Sequence, residues 1–425
     1  MTKKLKITII LVTISLLAAI PVFWKMVMSN DHGITSHLIQ MKSGNVLYMK
    51  CKFKNIGVLH NILSKHGISA ITAELLCRKI NGLSPEATKE KLQKLGIEEL
   101  SLSATGDDIT VSFHLLKNRA DAALQFLSQI FTHPEFSKND LEFMKEKYPT
   151  FLELETSHPQ ELLLDKLMSM LYQNHNYGRN NTGTAQSIAS ITEEDVSNFV
   201  KSNFAKDRLR FFVTGDVSQA EIKTYAKALL AKLPEKSQGI FINEVGEALT
   251  TAALSEEKEA IIHKNNMENI VSMVNGVRLD NLSKKEIAAA HIIIRTLFDK
   301  KIGDFARGLR AKNIAYGGDF YFLRRRFSNV FYFFVYIDKN DLTNYREYVA
   351  SKMEAYTKEL NYEDIERTKN RIIAQIDSGY ADIAEIDEKM KHSTLPFAEV
   401  NREIFEKVSR KLFDGTQMRA VYICQ

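Results

Sequence analysis

The chain has 425 residues, of which 44% are hydrophobic and 26% are charged, with 7 prolines and 19 glycines. This length predicts two or three folded domains, and the composition is typical of a helix-rich globular protein rather than a collagen-like or disordered chain. Lysine and arginine exceed aspartate and glutamate by only 57 to 52, so the charge does not predict nucleic-acid binding. The three cysteines, Cys51, Cys77 and Cys424, are too few for a disulfide scaffold and lack metal-site spacing.

The amino terminus has the pattern of a membrane-spanning segment. Lys3, Lys4 and Lys6 precede the uncharged residues 7–24, which would span about 27 Å as a helix and nearly match the hydrocarbon core of a bilayer. Because the basic flank comes first, the positive-inside preference places the main body on the periplasmic or extracytoplasmic side. We predict an uncleaved anchor within residues 1–30. The alternative is a cleaved signal peptide that releases the body on the same side.

The rest of the chain alternates short apolar runs with long amphipathic stretches. Residues 111–115, 209–214 and 330–337 have the composition of strands, whereas residues 160–171 and 342–360 have apolar residues at helical spacing. The pattern therefore predicts a mixed fold of the α+β class.

A weak internal repeat divides this body in two. The segment LQKLGIEEL at 92–100 resembles LRAKNIAYG at 309–317, and in each half a strand follows, at 111–115 and at 330–334. Polar and charged residues at 236–268 predict a linker between the halves. The predicted organisation is a signal or anchor helix at 1–30, an N-terminal domain at 35–235, the linker at 236–268, and a C-terminal domain at 269–425.

Several short segments follow one another in a characteristic order. They are GISAITAEL at 67–75, FTHPEF at 131–136, NYG at 176–178 with GT at 183–184, a strand ending at Gly215, and LR at 309–310 with AY at 315–316. Together they resemble the pitrilysin/insulinase family of metallopeptidases, in the class of shorter bacterial and mitochondrial-processing-type subunits. The resemblance implies two homologous αβ domains, each with a mostly antiparallel sheet flanked by helices. In the family, two such pairs face each other around a closed chamber.

The resemblance also shows what this chain lacks. Catalytic members carry His-x-x-Glu-His on the helix aligned with GISAITAEL, where two histidines and a distant glutamate bind zinc and the inner glutamate acts as general base. Here those positions are Ala70, Ala73, Glu74 and, for the distant ligand, Phe151. Alanine and phenylalanine cannot coordinate a metal, so we predict that the chain has no zinc, no catalytic residues of its own and no activity alone.

No other pattern replaces this site. No two of the eleven histidines are three or four residues apart, which excludes a helical ligand pair, and His60 and His66 are expected to face solvent. His158 and Pro159 are predicted to begin a helix. Cys77 has no recognisable histidine partner, and neither a nucleophile elbow nor a phosphate loop occurs. We expect no metal and no cofactor in this chain.

An arginine and a tyrosine of the family's second domain hold substrate backbone and the developing oxyanion. The resemblance implies that Arg310 and Tyr316 have this substrate-binding role, which suits a forked cationic donor and a hydroxyl donor. Their spacing is six residues instead of seven, which leaves the direction of Tyr316 open. The plain alternative is a surface arginine and a half-buried tyrosine.

Two neighbouring features have both structural and functional interpretations. Gly317 and Gly318 would let a peptide backbone approach, although an ordinary strand-entry turn needs the same residues. The three arginines at 324–326 are predicted to form a solvated hairpin tip, with steering of acidic peptides or anionic headgroups as the alternative.

The sequence therefore favours a membrane-anchored, extracytoplasmic subunit that pairs with a zinc-bearing relative. It would contribute Arg310, Tyr316 and chamber wall to endoproteolysis of short unfolded peptides, which add a strand to an exposed sheet edge. The alternative is a peptide-binding or scaffolding protein on an inactive peptidase fold. A third hypothesis, an independent zinc peptidase with unusual ligands, needs zinc and activity in the purified chain.

Overall fold

The structure contains two β-sheets with surrounding helices, which confirms the mixed α+β class. It is a computed structural model that describes residues 27–31, 34–40, 45–132, 136–180, 182–242, 249, 252–264, 270–301, 303–377 and 395–424. Residues 1–26 of the predicted anchor lie outside the described residues. Within the described ranges, no helix is both long and apolar enough to cross a membrane.

The first sheet is formed in the N-terminal half. Its strands are β1 (Val27–Asp31), β2 (Ile34–Gln40), β3 (Val46–Lys54), β4 (Ile97–Ala104), β5 (Asp108–Leu116) and β6 (Leu209–Gly215). They lie in the order β1-β2-β6-β3-β5-β4, with β2 and β6 parallel and every other pair antiparallel. Every second residue of β3 is buried, so one face of this sheet packs on the core.

Helices of the N-terminal half cover this sheet and extend beyond it. They are α1 (Ile68–Arg78), α2 (Pro85–Lys94), α3 (Ala120–Thr132), α4 (Lys138–Ser157), α5 (Pro159–Leu171), α6 (Ala185–Ala189), α7 (Glu193–Asn203) and α8 (Gln219–Leu230). As predicted, α5 begins at Pro159, directly after His158, where a missing backbone N–H costs nothing.

The second sheet belongs to the C-terminal half. Its strands are β7 (Glu259–His263), β8 (Ile270–Asp280), β9 (Ala315–Arg324), β10 (Ser328–Asp338) and β11 (Arg419–Cys424), in the order β7-β11-β8-β10-β9. Its helices are α9 (Lys284–Phe298), α10 (Asp304–Ala311), α11 (Leu342–Lys358), α12 (Tyr362–Asp377) and α13 (Arg402–Leu412). Strand β7 lies within the predicted linker, which is therefore not wholly irregular. The backbone of β7 pairs in parallel with β11, which lies at the carboxyl end of the sequence.

The two sheets have the same strand order. When β1 is set aside, β2-β6-β3-β5-β4 corresponds strand by strand to β7-β11-β8-β10-β9, and in both sheets the first pair is parallel. The repeated segments at 92–100 and 309–317 lie at equivalent places, where a helix ends and an edge strand begins. The internal similarity thus has a structural counterpart, while the exact domain boundaries stay a prediction.

A separate apolar cluster joins the two halves. Each sheet has its own core beneath its helices, but Leu163 and Leu167 of α5 pack with Val274 and Val330 on the opposite face of the second sheet. Gly276 leaves room for this contact, because an added Cβ would lie 2.7 Å from Leu167 Cδ2 and displace it. The first half therefore provides the cover for one face of the second sheet.

The tip of the β9–β10 hairpin extends this junction. Arg325 Nη1 donates to the carbonyl oxygen of Tyr177 at 2.7 Å, and its guanidinium carbon lies 4.7 Å from the centre of the Tyr177 ring. The prediction of a solvated tip is wrong for Arg325, because the hairpin reaches into the N-terminal half and is partly buried there. The Arg326 side chain is exposed, as predicted.

Asp107 is the shared acceptor beneath the hairpin tip. One carboxylate oxygen lies 2.9 Å from His60 Nε2 and accepts from the Tyr177 hydroxyl at 2.8 Å, while the other accepts from the backbone N–H of Arg326 at 3.0 Å. Burial by itself raises the pKa of Asp107, but the hydrogen bonds and the charge of His60 outweigh it and hold the pKa below its usual value. The junction therefore contains a partly buried carboxylate whose two oxygens both accept hydrogen bonds.

Candidate functional site

Helix α1 forms where the resemblance places it. It follows Gly67, whose φ of +93° is a left-handed conformation that favours glycine, and an added Cβ there would lie 2.5 Å from Ile188 Cδ1. Ala70 is half-buried, Ala73 is 2% exposed and Glu74 faces solvent. The local fold of the segment is thus present without the side chains that would bind metal.

The residues at these positions do not fit zinc. A methyl side chain has no lone pair, and the single carboxylate of Glu74 supplies one ligand where a catalytic zinc site needs about three from the protein. Phe151 lies in α4, and its side chain is outside the described residues. Across the described parts of the chain, no group of three or more His, Cys, Asp or Glu residues could hold a metal ion.

The two histidines before α1 have structural contacts. The prediction that they face solvent is wrong, because His60 is 2% exposed and His66 is 4% exposed. His60 is paired with Asp107, and His66 Nε2 lies 2.9 Å from the carbonyl oxygen of Asn180, while burial lowers the pKa of His66. Their partners lie far away in sequence, which is why their burial was missed.

The cysteine on α1 is not an activated nucleophile. Burial raises the pKa of Cys77 to about 12, so its thiol is protonated at neutral pH. Cys51 is fully buried in β3, and burial raises its pKa as well. Both cysteines therefore act as small apolar side chains.

Arg310 lies in the last turn of α10, with its side chain exposed. Its Nη1 donates to the carbonyl oxygen of Lys300 at 2.7 Å, and its Nη2 donates to that of Lys301 at 3.3 Å. These carbonyls belong to the connection between α9 and α10. The guanidinium is thus held in place by its own chain while it remains open to solvent.

Tyr316 lies in β9, at an irregularity in the pairing with β10. Ala315 pairs with Ile337 and Gly317 pairs with Tyr336, so Tyr316 is the additional residue of a bulge. The side chain of Tyr316 is outside the described residues, and its role stays a prediction. The shortened spacing from Arg310 is accompanied by this local break in the ladder.

Gly318 has a steric reason to be glycine. An added Cβ would lie 2.5 Å from the carbonyl oxygen of Phe334 on β10, which only a backbone shift would relieve. This contact supports the structural interpretation of Gly318. The close contact is with β10, the neighbour of β9 within the sheet, so the solvent-facing edge of β9 remains available to a ligand.

A cavity of about 360 Å³ lies between α10 and β9. Its buried lining includes Phe298, Phe305, Leu309 and Phe333, and Arg310 lies at its rim. The cavity therefore combines an aromatic and aliphatic floor with a permanent cation at the opening.

An ion pair that the sequence analysis did not find also lines this cavity. Lys300 Nζ contacts the Asp319 carboxylate, and the hydrogen bond that this carboxylate accepts, together with its charge, raises the pKa of Lys300. The pair connects the end of α9 to β9. The two residues have no sequence spacing that would indicate an interaction.

Comparisons with known families and curated proteins agree with this architecture. The family model described as insulinase (peptidase family M16) matches residues 56–185, and the one described as peptidase M16 inactive domain matches residues 190–372. The chain is 24% identical over 161 residues to a probable mitochondrial-processing peptidase subunit beta of Arabidopsis thaliana, covering 37% of this chain and 30% of the relative. It is 25% identical over 174 residues to an uncharacterized zinc protease of Bacillus subtilis, covering 40% and 42%. The matched segments thus span less than half of these relatives.

Solved structures resemble the chain over nearly its whole length. A protease from Helicobacter pylori has a TM-score of 0.78 at 15% identity, covering 94% of this chain and 99% of that one. A peptidase M16 inactive domain from Pseudomonas fluorescens has a TM-score of 0.77 at 17% identity, covering 94% and 97%. At this level of identity the similarity concerns the fold.

Proposed function

Because this chain belongs to the M16, or insulinase, family of peptidases, we propose that it is the zinc-free subunit of a two-chain metalloendopeptidase. One combined observation carries the proposal. Of the family's zinc-ligand positions, Ala70 and Phe151 have no ligand atoms, and Ala73 cannot act as the base, whereas Arg310 remains at the mouth of a cavity beside an edge strand. A chain with this distribution of groups contributes substrate binding and relies on a partner for metal chemistry.

The partner in this proposal is a zinc-bearing relative of similar fold. Several relatives are named as beta subunits of a processing peptidase, which supports an assembly of more than one chain. The partner would supply the zinc-bound water that attacks the scissile carbonyl. This chain would close the other side of the chamber, outside the cytoplasm, and the predicted anchor before β1 would attach it to the membrane.

The substrate in this proposal is a short unfolded peptide. Strand β9 is at the edge of the second sheet, so its outer N–H and C=O groups can pair with an extended chain. Arg310 would exchange one of its bonds to the Lys300 and Lys301 carbonyls for a carbonyl of the peptide. A guanidinium can do this without losing its charge, and its remaining donors keep the side chain in position.

The test is purification of the tagged full-length chain from its native membranes, followed by assays of bound protein, zinc and peptide cleavage. We expect an equimolar zinc-bearing partner. Arg310→Ala should lower kcat/KM of the pair by about a hundredfold, the scale for loss of one oxyanion donor. Arg307→Ala removes an exposed cation from the same helix and is the matched control, with activity expected to be unchanged. Full activity in Arg310→Ala would contradict the proposal.

A second function, peptide binding or scaffolding without proteolysis, has one observation in its favour. The Arg310 guanidinium is already satisfied by two carbonyls of its own chain, as a purely structural arginine would be. Recovery of the chain without a zinc-bearing relative, together with peptide binding that survives Arg310→Ala, would favour this alternative.

A further inference from the structure

Gly318 lies in the wall of the cavity between α10 and β9 and adds no side chain to it. Gly318 is paired with Val335, and Phe320 with Phe333, so these four positions share the face that carries the C-terminal core. Phe320 packs into that core, whereas Gly318 contributes nothing to it. The cavity lies beside this position, between β9 and α10.

The wall of this space is apolar and almost completely buried. Phe298, Phe305 and Phe333 are each 3% exposed or less, and their rings are mutually in contact, with centroids 4.6 to 5.2 Å apart. Aromatic rings packed in this way form a firm surface, because they have few rotatable bonds and each ring supports the next. The cavity therefore has a preformed hydrophobic floor.

The opening of the cavity has a different character. Arg310 and Lys300 are exposed there, Asp319 is paired with Lys300, and Ala306 is half-buried. In the part of the chain that the structure describes, β9 pairs with β10 alone, so its outer edge has unpaired backbone groups. An extended peptide at this edge would pass the opening with its backbone beside Arg310.

We propose that this cavity is a specificity pocket that takes one large apolar side chain of a peptide paired with β9. The inference rests on the proposed function and adds the substrate class, namely peptides with an aromatic or long aliphatic residue at the position that faces the pocket. At about 360 Å³ the cavity is near the lower limit of ligand sites, roughly 300 Å³, and suits a single side chain better than a cofactor. The adjacent edge strand and Arg310 favour a peptide over a free hydrophobic molecule, which has no backbone to pair.

The test measures binding by this chain without its partner, so that it does not depend on proteolysis. The full-length chain in detergent is titrated into a fluorescent decapeptide with a central Phe, and into the same peptide with Ser at that position. We expect the Phe peptide to bind at least about tenfold more tightly, from burial of its ring. Ala306→Trp places an indole in the opening and should remove this preference. Ala311→Trp, at an exposed position on the same helix, should retain it.

Each further outcome has a defined meaning. Equal affinity of the wild-type chain for the two peptides, or a preference that persists in Ala306→Trp, would overturn the pocket. Ala306→Leu gives a graded, smaller obstruction and should reduce the preference partly, which guards against a folding defect in the Trp variant. Competition by N-acetyl-phenylalanine amide with an affinity equal to that of the peptide would overturn the role of β9. If the chain shows no preference for the Phe peptide but the two-chain enzyme is active and depends on Arg310, the pocket is wrong and the proposed function stands. If the chain prefers the Phe peptide but no active two-chain enzyme is found, only peptide binding is supported.

Discussion

The two ends of the β9–β10 hairpin differ in how far their polar groups are satisfied. At the tip, the Arg325 side chain and the Arg326 backbone N–H donate hydrogen bonds to Tyr177 and Asp107 of the N-terminal half. At the other end, the ladder is interrupted at Tyr316 and Arg310 stays exposed beside a cavity. The same two strands thus contact the N-terminal half at one end and are exposed to solvent beside a cavity at the other.

This difference explains how an edge strand can be open and still well positioned. The tip is fixed to the N-terminal half by Asp107, and α5 covers one face of the same sheet. Because the strands are continuous, these contacts also hold the open end, about 30 Å away at the rise of a β-strand, in a constant orientation. Stability is therefore concentrated at the tip, and the groups available for binding are at the opposite end.

The largest expected effect is the removal of the shared acceptor at the tip. Asp107→Ala leaves the buried His60 and Tyr177 side chains without their shared acceptor, removes the partner of the Arg326 N–H, and should lower the free energy of unfolding by about 3 kcal/mol. Urea denaturation followed by circular dichroism measures this change. Asp319→Ala, at the open end, is the control, with a loss below about 1 kcal/mol because its ion pair is exposed. Equal losses of unfolding free energy in the two variants would show that the tip does not contribute more to stability than the open end.

The next largest effect on stability is expected at Arg325, and it should distinguish this residue from its neighbour Arg326. Arg325→Ala loses a hydrogen bond to the Tyr177 carbonyl and the contacts with the Tyr177 and Tyr172 rings, and should cost about 1 to 2 kcal/mol. Arg326→Ala keeps the backbone N–H that binds Asp107, so its cost should be within about 0.5 kcal/mol. A larger loss from the second substitution would show that the exposed side chain, not the buried one, holds the hairpin.

Acid should weaken the contact at the tip. The pKa of Asp107 is below its usual value of 3.8 in the folded chain, so its stabilising contribution is complete above pH 3.8 and is lost as the pH falls towards the folded value. The difference in unfolding free energy between wild type and Asp107→Asn should therefore narrow as the pH is lowered from 5 to 3. A difference that widens over this range would mean that the carboxylate is not favoured by folding.

A small effect on stability is expected at the candidate site itself. Arg310→Ala removes an exposed side chain with two carbonyl partners, and should change the unfolding free energy by less than about 1 kcal/mol. Thermal and urea denaturation of this variant provide the control that its activity assay needs. A large loss of stability would assign Arg310 to the architecture and weaken the case for a binding role.

Much of the fold was predictable from local patterns. The apolar runs at 209–214 and 330–337 are strands β6 and β10, and the resemblance places α1 at Gly67. These signals are local, because alternation, helical spacing and a left-handed glycine each depend on a few adjacent residues. The repeat likewise pointed to two halves with the same order of elements.

The errors all concern residues whose partners are remote in sequence. His60 was expected at the surface but is buried against Asp107, 47 residues away, and Asp107 in turn binds Arg326, which is 219 residues away. The pairing of β7 with β11, at the carboxyl end of the chain, was likewise not visible in the charged segment that contains β7. No pattern within one segment contains such information, since it depends on which segments become neighbours.

The sequence by itself determined which side chains stand at the family's metal positions and which charged residues remain. Ala70 has no ligand atom whatever the fold, and Arg310 keeps its charge in any environment. Only the tertiary structure decided that Arg310 lies beside a cavity at a sheet edge, and that the hairpin leading to it is fixed by a partly buried carboxylate. The physical reason is that the types of donor and acceptor belong to single side chains, whereas burial, pairing and empty space arise when distant segments pack together.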